Sequence, residues 1–344
     1  MKHLYVIGNG FDLHHDIPSG YQSFRDWLEE VDDWDTLTTI DDIFGDCNSN
    51  WWKHFEENLG SANTLEIALE EARENYPDFG SDDFRDADWY DAEIAVEQKF
   101  EEAYEKIRTA FAHWVATLSF GNEEKKIRIK RPGSSFVNFN YSLTLEKLYH
   151  ISESQILHIH GRGDGKDKLV LGHGLSLKEI EDMMDENDKP DYEDDEGDDY
   201  VTQRAKGAAI DGVYKQRKKV DEIIKKNESW FEGLKDVTHI HFYGHSFADV
   251  DLPYFRKIFR SVDKKRVNVE ANAYSEEDKE AISRFMSSEG ITNYRIISLN
   301  DVLISRHWYW RLVEWLRGQW RFMVNDYPIN GNRYGKEGRA YGKD

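Results

Sequence analysis

Four short stretches of the chain combine residue types that can do chemistry on a nucleotide. The first is Gly8-Asn9-Gly10-Phe11-Asp12, where an apolar run breaks into a glycine turn. A backbone that must lie against phosphate favours residues without a Cβ, and a following helix offers its free N–H groups to the anion. The stretch stops short of the dinucleotide fingerprint, because Leu13 stands where G-x-G-x-x-G has its third glycine. An ordinary strand-to-helix turn, with Asp12 as a helix cap, explains the same residues. His14 and His15, directly behind it, suggest no role.

The second and third stretches are "FNY", with Asn140 and Tyr141, and "HIHG", with His160 and Gly161. Each lies at or near the end of an expected strand, which brings Asn140 and His160 to one edge of a sheet. A neutral imidazole there can take a proton from a ribose hydroxyl or a water, and an amide can orient the same group. Singly, Asn140 reads as a turn former and His158 as a core residue. The fourth stretch is "YGHSFADVD", where Gly244 ends a strand and His245 and Ser246 follow. Ser246 can cap the next helix or bind phosphate. Asp249 and Asp251 fall in its first turn, where the helix dipole favours carboxylates in any case, and Asp251 is also a candidate ligand. The pairs His158/His160 and His239/His241 raise a metal reading, since alternation puts both imidazoles of a pair on one strand face. The Asp-x-His first strand and Asn-His-Asp turn of a metal phosphoesterase are missing.

The elements that must position these groups are legible in outline. Strands are expected at 4–8 and 136–139, in "ILHIH", in "VTHIHFY", and in the segments around "RVNVEA" and "YRII". Each precedes a turn or helix, the pattern of a Rossmann-like parallel sheet whose ligand sits at the C-terminal strand edge. Residues 1–31, 130–180 and 235–300 form this nucleotide-binding core. Residues 32–129 read as a helical insertion, with Trp89, Val96, Phe100, Ala103, Ile107, Phe111, Trp114 and Leu118 on one apolar face. Residues 181–234 are a second insertion: an acidic loop over 181–199, with twelve acidic residues against Lys189, then a long helical stretch over 213–234. Its basic run "KQRKKVDEIIKK" is most simply a solvated face. Residues 301–330 form an aromatic helix, which is core or a dimer interface, and 331–344 a tail.

Composition narrows the class. At 344 residues the chain suits one large domain with insertions, or two. A formal charge of −22 repels polyanions from the average surface and argues against a nucleic-acid binder. The single cysteine, Cys47, supports neither a disulfide framework nor a cysteine zinc ribbon. No apolar run approaches the ~18 residues of a membrane span, and the start reads as a strand rather than a signal peptide. A soluble cytoplasmic protein is expected.

Taken together, "LYVIGNGFDLHHDIPSGYQSF", "FVNFNYSLTLEKLY", "ILHIHGR", "LVLGHG" and "FYGHSFADVDLPYF" resemble, in order and spacing, the AbiH-like phage abortive-infection proteins. More distantly, the Asn-Tyr, His-Gly and Gly-His-Ser…Asp turns resemble the sirtuin-like NAD-consuming domains of defence systems. That second resemblance implies a sirtuin-like sheet with NAD as substrate and no cofactor required. It places the pyrophosphate at residues 8–11, assigns Asn140 to the nicotinamide ribose or the attacking water, and makes His160 the base. It sets Gly244, His245 and Ser246 against the adenosine side. The chain departs from that pattern in three places: Gly-Asn-Gly-Phe-Asp stands for Gly-Ala-Gly-x-Ser, Ser142 for an aspartate, and Gly-His-Ser for Gly-Tyr/Phe-Ser. Without paired cysteines, protein deacetylation is not implied.

The expectation is therefore a phage-defence effector, answering a phage-derived trigger, that cleaves the nicotinamide–ribose bond of NAD or a related nucleotide. The rivals are a nucleotide-binding sensor without catalysis and a metal-dependent nuclease or phosphoesterase. Whether the protein is a homo-oligomer stays open.

Overall fold

The sheet is six-stranded and entirely parallel, in the order β3-β2-β1-β4-β5-β6. Its strands are β1 Lys2–Ile7, β2 Ser134–Asn138, β3 Ile156–His158, β4 Val237–Tyr243, β5 Asn268–Asn272 and β6 Tyr294–Ile297. The structure is a computed structural model, describing residues 2–78, 80–119, 121–129, 132–187 and 199–304. The described residues as far as Val302 form one compact unit. The aromatic helix and tail expected beyond 301, and residues 188–198 of the acidic loop, lie almost wholly outside the described residues.

This strand order is that of the doubly wound Rossmann sheet, so the expected α/β Rossmann-like core is present. The chain leaves β1 toward β2 and β3 on one side, then returns to β4 on the other. The switch point thus falls between β1 and β4, where such sheets hold ligands. β1 owes its central place to a nearly continuous apolar run, every residue of it buried except Lys2.

Helices α1 Asn9–His14 and α8 Thr144–Lys147 follow β1 and β2. One sheet face packs on α11 Val220–Lys226, α12 Glu228–Glu232, α13 Leu252–Ser261 and α14 Glu276–Ser288. The other helices are α2 Tyr21–Glu30, α3 Trp34–Phe44, α4 Ser49–Lys53, α5 Phe55–Asn58, α6 Thr64–Glu74, α7 Asp91–Thr117, α9 Leu177–Asn187 and α10 Tyr200–Tyr214. They share one aromatic core that includes Phe24, Trp52, Phe55, Phe100 and Phe111. α7 buries the face its spacing marks out. α10, read as belonging to a separate insertion, joins this core through Val201, Ala205, Ala209 and Val213, and so does α2.

Two local readings change. The acidic segment is helical as far as Asn187, because Ile180 and Met184 bury one turn apart. The long helix over 213–234 is instead three short pieces, broken after Tyr214. At the break the Lys218 N–H donates to the His173 carbonyl (2.8 Å), a tertiary bond that replaces a helical one.

Candidate active site

The glycines of the first loop are used in packing. A Cβ on Gly8 would sit 2.6 Å from the Gly244 carbonyl oxygen, and one on Gly10 2.9 Å from the Gly244 Cα. The Gly10 N–H donates to the Gly244 carbonyl (2.7 Å), and the Phe11 N–H to that of Gly8 (2.9 Å). Two donors that the pyrophosphate reading would use are thus already spent. Gly244 has φ +75°, in the left-handed region, and a Cβ there would lie 1.9 Å from the Phe11 nitrogen. Gly244→Ala should therefore cost about 4 kcal/mol or more. Urea denaturation checks this; a midpoint near that of the wild type would mean the two loops are not in contact.

Asp12 does not cap α1, whose N-cap Gly8 makes no side-chain bond. Its carboxylate accepts from Ser142 Oγ and from Thr144 Oγ1 (2.7 Å), tying the first loop to the β2–α8 turn. Asn140 reinforces the tie: its Nδ2 donates to the Gly8 carbonyl (3.0 Å), and its amide also bonds Asp12. Burial pushes the Asp12 carboxyl up to about 6, against the pull of these donors. The folded state thus holds this proton more tightly than the unfolded chain. The stabilisation is complete below about pH 4 and is lost as pH rises through about 6, a change of about 3 kcal/mol. Asp12→Asn should gain that much on the wild type between pH 4 and 7. Parallel urea midpoints at the two pH values would refute this.

The chemistry-bearing groups converge beyond this loop pair, at the switch point. His160 lies in the turn after β3, because the strand stops at His158. His158 turns aside to Glu146 Oε1 (2.8 Å), so the two imidazoles do not share a site. His160 and His245 meet on Phe139, whose ring stands edge-on to both at centroid distances of 5.2 and 4.8 Å. Asp251 lies against both imidazoles. Its Oδ2 is 3.4 Å from His245 Nε2, and its Oδ1 is 3.7 Å from His160 Nε2.

The tautomers follow from the remaining partners. The Phe247 N–H donates to His245 Nδ1 (3.0 Å), which leaves the hydrogen on Nε2, facing the carboxylate. His160 bonds the Phe139 backbone carbonyl, while its Nε2 has no partner among the described residues. The hydrogen of His160 is therefore on Nδ1. Burial first, then the nearby Lys218 charge, push this imidazole down to about 3, so it is neutral. His160 Nε2 and Asp251 Oδ1 thus face each other as two lone-pair acceptors. Both are buried and unpaired among the described residues, as is the Tyr254 hydroxyl.

Two residues from outside the sheet complete the cluster. Lys218 is buried to its ammonium, which donates to Glu56 Oε2 on α5 (2.8 Å). The basic run around it is thus not wholly a solvated face. Tyr141 and Tyr21 also bond Glu56. Burial works to raise the Asp251 carboxyl, but the Lys218 charge and the His245 hydrogen bond outweigh it and hold it well below the usual carboxylate range. Glu56 and Lys218 lie in no motif, and Phe139 and Tyr254 lie in "FVNFNYSLTLEKLY" and "FYGHSFADVDLPYF" with no chemical role of their own. Each is marked only by what the fold places beside it.

The remaining sequence candidates are placed as follows. Ser246 is exposed to solvent, whereas His245 beside it is buried. Gly161, at φ +89°, turns the chain after His160. His15 bonds the Phe11 carbonyl and the Tyr149 hydroxyl, and His14 the Lys125 carbonyl, so both brace the first helix. His241 pairs with Glu270 (3.1 Å) and His3 (2.9 Å). Among the described residues no three of His, Cys, Asp or Glu are gathered to hold a metal ion.

A doubly wound parallel sheet with a buried His–Asp–His cluster at its switch point defines an α/β protein of the Rossmann-like class. The chain belongs to the family described as bacteriophage abortive infection AbiH, whose model matches residues 4–272. This places it in phage abortive infection. No curated protein and no solved structure matches it. No helix among the described residues is long and apolar enough to cross a membrane.

Proposed function

We propose that this protein carries out abortive infection by hydrolysing the nicotinamide–ribose bond of NAD, with His160 and Asp251 as its catalytic residues. The observation that supports this is the pair of unpaired acceptors 3.7 Å apart at the switch point. Two acceptors cannot bond each other, and leaving buried polar groups unmade is costly. What satisfies both at once is a donor with two hydrogens, such as a water or a ribose diol.

In the reaction the C1′–N bond breaks with its electron pair leaving on nicotinamide. A water oxygen then bonds C1′, and its proton passes to His160 Nε2. Because positive charge grows on the ribose, the Asp251 carboxylate stabilises the transition state through the field it already exerts. A neutral, weakly basic imidazole suffices, since the water need lose its proton only late. Asn140 becomes a positioning residue, holding the first loop. NAD is the substrate, and no further cofactor is required.

The unpaired atoms are buried, so in this reading substrate reaches them only when the packing around the cluster opens. This gating suits an activity that would otherwise exhaust the cell. The test is to follow NAD and nicotinamide in phage-infected cells and with purified, metal-free protein. Wild type should release nicotinamide and His160→Ala should not. Constant NAD throughout an abortive infection would overturn the reading.

A further inference from the structure

An open cleft of 870 Å³ backs onto the buried cluster and shares Lys218 with it. This volume lies within the roughly 300–1,000 Å³ of small-ligand sites. Its walls come from α7, residues 168–171, the break after α10, and α11. Seven basic side chains line it against three acidic ones, in a chain whose net charge is −22. Such a reversal of sign concentrates anions locally.

Four of the cations are engaged: Lys218 by Glu56, Lys215 by Glu97, Lys219 by Glu222 and Arg108 by Glu105. Lys168, Arg217 and Lys226 have no acidic partner among the described residues. The Arg217 guanidinium rests 4.5 Å over the Tyr214 ring, which orients its fork of donors. Leu169, Leu171 and Ile223 add an apolar surface between the charges.

We propose that this cleft is a second binding site, for a nucleoside di- or triphosphate. The phosphates lie on Lys168, Arg217 and Lys226, and the base lies on the leucine–isoleucine surface. A nucleic acid strand fits less well, because it would have to continue from the cleft over an acidic surface. The site also has a route to the buried cluster. Arg217 faces the cleft and Lys218, the next residue, faces Glu56, so a ligand pulling on one displaces the backbone that sets the other.

Equilibrium dialysis of the full-length protein tests this, with ATP, inorganic triphosphate and adenosine as probes. ATP and triphosphate should bind and adenosine should not. Reversing the three exposed cations (Lys168→Glu, Arg217→Glu, Lys226→Glu) should weaken ATP binding about tenfold or more, and the corresponding Gln variants should fall between. His160→Ala should bind ATP like the wild type, which separates this site from the hydrolase reading. Three results would each overturn the proposal: no binding of ATP by wild type, unchanged binding by the charge-reversed protein, or loss of binding in His160→Ala. A single-stranded oligonucleotide that binds more tightly than ATP, through the same three residues, would replace the nucleotide by nucleic acid.

Discussion

Asp251→Asn should lower nicotinamide release by about 10²–10⁴-fold, the range that positioned acid–base groups contribute, in a protein that remains folded. The reason is geometric as well as electrostatic. An asparagine amide turned toward His160 would donate to Nε2 across the 3.7 Å that now separates two acceptors, closing the place where the water must sit. It would also remove the negative charge that, in the proposed reaction, stabilises the growing cation on the ribose. His160→Ala should lose a similar factor by removing the other acceptor. Asn140→Ala should behave differently: its loss of the Gly8 bond should lower stability along with turnover, whereas His160→Ala should spare stability.

The pH profile adds a separate check. Burial holds His160 at about 3 rather than 6.5, and the Asp251 carboxyl lies below its usual range. Neither group should then give an acidic limb between about pH 5 and 8. A limb near 6.5 that disappears in His160→Ala would contradict the assigned protonation state.

A large effect on stability is also expected of Lys218→Met, at about 3–5 kcal/mol, the cost of breaking a buried ion pair from one side. The substitution leaves Glu56 without its ammonium and Asp251 without the charge that outweighs its burial. With Lys218 gone, the Asp251 carboxyl should rise. The stability it contributes above the unfolded carboxylate range should then be lost at a higher pH on acidification. Pairing the change with Glu56→Gln should recover part of the loss, because one stranded charge is removed. Urea titrations of the two single variants and the double variant measure this coupling directly. Additive losses would show that Lys218 and Glu56 do not act as a pair.

These predictions rest on residues of very unequal visibility in the sequence. The strands were legible because parallel strands buried on both faces read as apolar runs ending in glycine, asparagine or histidine. α7 was legible because a long helix on one core repeats its apolar face many times. The break after α10 was not, since residues 215–219 contain neither glycine nor proline. What marks the break is tertiary: the Lys218 N–H donates to the His173 carbonyl instead of to its own helix. The glycines of the first loop were visible, but their purpose was not: the partner that needs their missing Cβ atoms is Gly244, more than two hundred residues away.

By itself, then, the sequence determined the α/β class, the family, the switch-point loops and the candidacy of His160, Asp251 and His245. Local periodicity and turn chemistry are properties of neighbouring residues and survive without a fold. Tertiary structure alone decided that Asn140 and Asp12 tie loops together, that Ser246 is exposed, and that Glu56 and Lys218 join the cluster. Those assignments depend on which hydrogen bonds are already satisfied and which charges are buried together. Both are set by contacts between distant segments, to which spacing along the chain carries no signal.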